Sequence, residues 1–111
     1  MRLFRFRALL SLDPAGPGGR DAQEYPCGTH ALMVEAAPLG RAAGQRCFPA
    51  AIYRVDGRPL RRGEPSVVAT IEIADDAAGE FLDAGQHFAL WNGTETGHGV
   101  ISRQVFFTSV G

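Results

Sequence analysis

QHFALWNGTETGHGVISRQVFF, residues 86–107, is the stretch whose pattern settles the fold class. Phe88 and Leu90 fall on one face of a strand, and His87, Ala89 and Trp91 on the other. Asn92-Gly93 follows, a pair that tolerates the positive φ of tight turns. Val100, Ser102 and Gln104 then alternate with Ile101, Arg103 and Val105. Alternation on both sides of a turn signal predicts a β-hairpin. The connection from Asn92 to His98 is longer than a two-residue turn, so an irregular or bulged loop is expected. Gly97 and Gly99 flank His98. Glycines at alternate strand positions mark a bulge, a bend or a close backbone approach. At least one of them is expected to hold a backbone geometry costly for other residues.

Outward from the hairpin, other segments carry the same period. In SVVATIEIA (66–74), Val67, Ala69, Ile71 and Ile73 share one face, and Val68, Thr70, Glu72 and Ala74 the other. In Arg2–Leu12, Phe4, Phe6, Ala8, Leu10 and Leu12 line up against Arg5, Arg7 and Ser11, with Leu9 breaking the polar face. Both read as half-buried strands. THALMVEA (29–36) is preferred as a strand. Its residues also favour helix, but Gly28 and Pro38 limit its length. RCFPAAIYRV (46–55) reads as a strand in which Pro49 marks an edge, a bulge or a break. Asp56-Gly57 signals a turn, and Leu60 begins a return leg. Residues 13–20, 21–28 and 39–45 read as connections. Residues 75–85 form an acidic connection in which Phe81 and Leu82 are placed to plug a barrel end.

The hairpin resembles the C-terminal hairpin of the third domain of elongation factor Tu, a small antiparallel β-barrel. Phe88, Ala89 and Leu90 match the first part of that family's pattern, and Gly97, Gly99, Val100 and Ile101 the last part. Gly18-Gly19-Arg20 matches a triplet after the family's first strand, and Gly63-Glu64 a glycine-acid turn before a later one. The loop departs from the pattern, with Thr94 and Glu95 where the family carries a basic residue. The resemblance implies an all-β chain forming one six-stranded antiparallel Greek-key-type barrel over residues 1–111.

Composition agrees with one domain. The chain has 111 residues, and its fourteen glycines and seven prolines favour turns over long helices. There is no lysine. Ten of eleven arginines lie at or before Arg62 against five acids, and one arginine lies beyond it against seven. The formal charges of the two parts are therefore 10 − 5 = +5 and 1 − 7 = −6. Complementary strands folded against each other are the favoured reading, and a dipolar surface that orients a partner is the sharper one. No run approaches transmembrane length. Arg5 and Arg7 interrupt what would be the apolar core of a signal peptide. Cys27 and Cys47 are expected to be reduced thiols in a cytoplasmic protein.

Several chemistries find no support. A phosphate loop needs a lysine, and the chain has none. Cys27 and His30 have a C-x-x-H spacing, with Cys47 available as a third ligand and His87 and His98 placed to face each other across the hairpin. No second close ligand pair makes this a zinc motif. Ser102, His98 and Asp83 can be named as a nucleophilic triple, but no motif supports them. Asp75-Asp76 reads as solvated surface. The expectation is therefore a non-catalytic module with no metal or cofactor.

The related domain contacts the T-stem of transfer RNA, so an RNA partner is the alternative, with Arg5, Arg7, Arg61 and Arg62 as a candidate basic patch. Glu95 in the loop disfavours phosphate there. A protein partner bound through Trp91, Asn92, Thr94, Glu95 and His98 is preferred, with Trp91 supporting the loop and Glu95 supplying charge. A small-molecule-binding barrel is a third reading.

Overall fold

Eleven residues of alternating pattern form β1, Arg2–Leu12, an interior strand of the main sheet. The structure, a computed structural model, describes residues 2–14, 24–36 and 44–109; the side chains of residues 2 and 103–109 lie outside the description. The remaining strands are β2 (Glu24–Tyr25), β3 (Met33–Ala36), β4 (Arg46–Pro49), β5 (Ala51–Arg54), β6 (Leu60–Arg61), β7 (Val67–Ala74), β8 (His87–Trp91) and β9 (Glu95–Ser109). The only helix among the described residues is a single 3-10 turn, Ala78–Glu80.

Seven strands form one curled antiparallel sheet in the order β4-β3-β8-β9-β1-β7-β5. β2 and β6 make a separate two-stranded ribbon. The two edge strands of the large sheet, β4 and β5, are consecutive in the chain and separated only by Ala50. The expected single strand over 46–55 is thus broken. β4 pairs with β3 and β5 with β7, at opposite ends of the sheet. Pro49 has no N–H to give to a ladder, so the chain changes partner where hydrogen bonding must lapse. The segment 29–36 is strand only from Met33, with an isolated bridge from Thr29 to Ile52. The short strand Glu24–Tyr25 falls within a segment expected to be irregular.

The inward faces are those the alternation indicates. Phe4, Phe6, Ala8 and Leu10 of β1, Ala69, Ile71 and Ile73 of β7, and Phe88 and Leu90 of β8 are all buried. Phe6 meets Phe4 at a ring-centroid distance of 5.5 Å and Phe88 edge-on at 5.9 Å. The connection after β7 contributes side chains to the core. Ala78 and Leu82 are buried, and Phe81 packs edge-on against Phe48 at 5.2 Å.

The two oppositely charged parts of the sequence lie against one another. Arg5 pairs with Glu72, Arg46 with Asp75 and Arg54 with Glu64. Each of these pairs joins an arginine at or before Arg62 to an acid beyond it, as the complementary-strand reading expects. The Gly18-Gly19-Arg20 triplet lies outside the described residues, as does most of the 39–45 connection.

Candidate functional site

The connection between β8 and β9 is shorter than the sequence suggests. It is confined to Asn92, Gly93 and Thr94, with Asn92 N–H donating to the Thr94 carbonyl at 3.0 Å. Gly93 supplies the left-handed residue, at φ +77°. Glu95 and His98, expected in the loop, are already part of β9. The anticipated bulge is present: Leu90 pairs with Gly97 but Trp91 with Glu95, leaving Thr96 as the extra residue. Thr96 is buried and its hydroxyl donates to the Thr94 carbonyl at 3.1 Å. A side chain that satisfies a backbone group of the turn explains why a buried polar residue is tolerated there.

Gly97 and Gly99 are constrained by neighbours and not by conformation. Neither has a positive φ, which corrects the expectation of a costly backbone geometry. A Cβ on Gly97 would strike the Ser11 carbonyl oxygen and lie 3.1 Å from Leu12 Cα. On Gly99 it would meet Phe88 Cζ at 2.5 Å and Leu10 Cδ2 at 2.7 Å. β1 at Gly97, and β1 with the Phe88 ring of β8 at Gly99, leave no room for a side chain at these inward positions.

The five candidate residues separate into two groups. Asn92 and Trp91 serve the turn. Asn92 Nδ2 donates to the hydroxyl of buried Tyr25 at 3.2 Å, tying the hairpin to the β2–β6 ribbon. Trp91 is half-buried and pairs across the ladder with Met33 and Glu95. Its indole N–H is buried and has no hydrogen-bond partner among the described residues. Thr94 is exposed at the tip.

Glu95 and His98 belong to the second group. They share an open groove of about 310 Å³ with Glu35, Gln45, Gln86 and His87, floored by Ala89. Register explains the grouping. Glu35 of β3 is opposite Ala89 of β8, and Ala89 is opposite His98 of β9. A small side chain between a carboxylate and an imidazole opens a depression on the outer face. His87 stands opposite Val100, so the two histidines are diagonal neighbours and not direct partners.

Glu35 and His87 extend the candidate site beyond the hairpin loop. Each sits on the polar face of an alternating strand, which the sequence shows. The pairing of β3 with β8, which brings Glu35 into the groove, it does not show. Burial, and then the nearby Glu35 carboxylate, push the Cys47 thiol above its ordinary range. This thiol is exposed yet poorly suited to act as a nucleophile.

The other named constellations do not converge. Cys27 lies near the Arg54 carbonyl at 3.7 Å, while Cys47 lies beside Glu35. Among the described residues no group of three His, Cys, Asp or Glu side chains is arranged to hold a metal. Ser102 donates to the Arg7 carbonyl at 2.9 Å, and Asp83 accepts from the Ala84 N–H at 2.8 Å. The suggested basic patch is also dispersed. Arg5 is paired with Glu72, and Arg62 bonds the Asp13 and Pro14 carbonyls beyond the far end of β1. Arg5 and Asp13 are eight residues apart along the strand direction, roughly 26 Å.

At that end Arg54 is the hub of an ion network. Its Nε meets Asp56 at 2.8 Å, and one terminal nitrogen meets Glu64 at 2.7 Å and the Pro59 carbonyl at 3.2 Å. The Arg54 hydrogen bond holds the Glu64 carboxyl below its usual range. The Arg58 backbone N–H, and then Arg54, do the same for Asp56. A depressed folded-state value stabilises the protein above the ordinary carboxylate range, near pH 4, and the gain is lost as pH falls through the depressed values. Thermal denaturation from pH 5 to pH 2 should therefore show a falling midpoint that is shallower in Glu64→Gln. Both carboxylates are partly exposed, so the difference will be small. Parallel curves for the two proteins would remove the network from acid stability.

No family model, curated protein or solved structure matches this chain.

Proposed function

We propose that this chain is a non-catalytic binding module, resembling the third domain of elongation factor Tu, that takes a basic segment of a protein partner in the groove of β3, β8 and β9. The carrying observation is that Glu35 of β3 and Glu95 of β9 line one groove around Ala89, with no arginine among its lining residues. A guanidinium or ammonium entering there meets carboxylates from two strands, with Trp91 next to Ala89 on the same face. Phosphate would meet the same carboxylates and be repelled, most strongly at low salt. RNA is accordingly the disfavoured partner at this face.

The six-stranded barrel belongs to the same reading. If β4 and β5 are counted as one interrupted strand, the seven-stranded order becomes six strands whose first and last members are the same piece of chain. Such a strand closes the sheet, as a barrel requires. A cytoplasmic location fits two free, exposed cysteines.

The test is a titration of isotope-labelled protein with a short arginine-rich peptide, followed by amide chemical shifts. Perturbations are expected at 33–36 and 86–98, and Glu35→Gln with Glu95→Gln should weaken the peptide about tenfold, or ~1.4 kcal/mol. Filter binding with transfer RNA supplies the second arm. Tight, salt-sensitive RNA binding by the parent protein that improves in Glu95→Arg would place RNA at this face and overturn the reading.

A further inference from the structure

Leu9 is the apolar residue that breaks the polar face of β1, and neither the core nor the groove accounts for it. It is 44% exposed. Its cross-strand partner on β7 is Val68, 41% exposed. The Val68 carbonyl accepts from the N–H of Val55, just beyond β5, and Val55 is 54% exposed. Tyr53, on the same face of β5 two residues earlier, is 40% exposed. These four are all of the exposed large hydrophobic side chains among the described residues, and the register gathers them in one patch. On the other side of Leu9 the row continues through half-buried Val100 to His87 at the rim of the groove.

Scattered exposed apolar residues are ordinary, but a contiguous patch marks an interaction surface. Two features say what covers it. Four side chains, none more than 54% exposed, present roughly a few hundred Å². An obligate dimer needs about 800 Å² or more from each copy. The patch therefore fits a small or transient partner and not a permanent second copy. Its charged neighbours decide the sign. Glu72 is paired with Arg5, and Asp56 and Glu64 are paired with Arg54. Arg7 is exposed, one position along the outer face from Leu9, and stands opposite uncharged Thr70. It has no ion pair among the described residues, so the patch has a positive edge with no counter-charge among them.

We infer that the outer face of β1, β7 and β5 is a second docking surface, for a short protein segment that presents apolar side chains to Leu9, Val68 and Val55 and a carboxylate to Arg7. The row from Val100 to Val55 crosses three interstrand spacings, about 14 Å. An amphipathic helix of about ten residues spans that length with apolar residues at successive turns.

The experiment uses two synthetic amphipathic peptides with the same leucine stripe, one flanked by glutamates and one by lysines, titrated into the labelled chain. The glutamate peptide is expected to perturb amides at 7–9, 53–55 and 68–70. It should bind at least tenfold more tightly than the lysine peptide. Leu9→Ser and Val68→Thr are solvent-face changes that should weaken it tenfold or more with well-dispersed spectra retained. Arg7→Gln should abolish the preference between the peptides, and Glu35→Gln with Glu95→Gln should leave binding undiminished. No saturable binding at millimolar peptide, equal affinity for both peptides, perturbations elsewhere, or self-association that Leu9→Ser abolishes would each overturn the inference.

Discussion

Gly97→Ala is expected to cost about 3 kcal/mol of stability, near the upper end of what overpacking usually costs. The added methyl would collide with the Ser11 carbonyl oxygen and crowd Leu12 Cα and Cδ2. Two of those three atoms do not turn away by a rotamer change. Ser11 and Leu12 belong to β1, whose inner face carries much of the core, so moving them propagates across the sheet. Gly99→Ala should cost about 2 kcal/mol, because two of its three nearest contacts are side-chain atoms that can shift. Valine at either position should be worse. Gly93→Ala is the control. It has open space around it but a φ of +77°, which costs about 1–2 kcal/mol from conformation alone. Urea unfolding midpoints of the three variants rank them. A Gly97→Ala midpoint no lower than that of Gly93→Ala would reject the steric account.

Phe6→Ala should be comparable or larger, about 3–5 kcal/mol. The ring is completely buried and packs against Phe4 and Phe88. It links β1 to β8, two strands separated in the sheet by β9. Truncation would leave a void walled by neighbours fixed in their own strands, so little collapse is available to offset it. Domains of this size have total stabilities of about 5–15 kcal/mol, so the variant should be close to unfolded at physiological temperature. Calorimetry should show the midpoint falling by roughly 15 °C. Phe6→Leu keeps most of the volume and should recover over half of the loss. A midpoint shift of only a few degrees for Phe6→Ala would mean that the site collapses readily.

Much of the fold is legible because a half-buried strand has a simple code. Residues two apart face the same way. That rule alone places Phe4 to Leu12, Val67 to Ile73, and Phe88 with Leu90 inside the sheet. It also puts Glu35, His87 and Ala89 outside, whereas His98, read as loop, is placed on the outer face only by the structure. The charge asymmetry favours arginines before residue 63 meeting acids after it, as Arg5 with Glu72, Arg46 with Asp75 and Arg54 with Glu64 do. The glycines between Leu90 and Val100 announce a place where backbone comes close. Even the unexplained apolar residue, Leu9, is visible as a break in the pattern.

Only the tertiary structure decides which strands are neighbours. Alternation assigns a face but not a partner, because the ladder hydrogen bonds are made by a backbone common to all residues. Nothing in 33–36 says that it lies beside 87–91, and so nothing in the sequence brings Glu35 to Glu95 and His98. Likewise, the division of 46–55 into strands at opposite edges depends on where the curled sheet ends. Pro49 marks only the point at which the change is permitted. The reason Gly97 and Gly99 are glycines was also beyond the local sequence. Their φ values are ordinary, and the space they lack is taken at Gly97 by β1, more than eighty residues away in the chain, and at Gly99 by β1 together with Phe88 of β8.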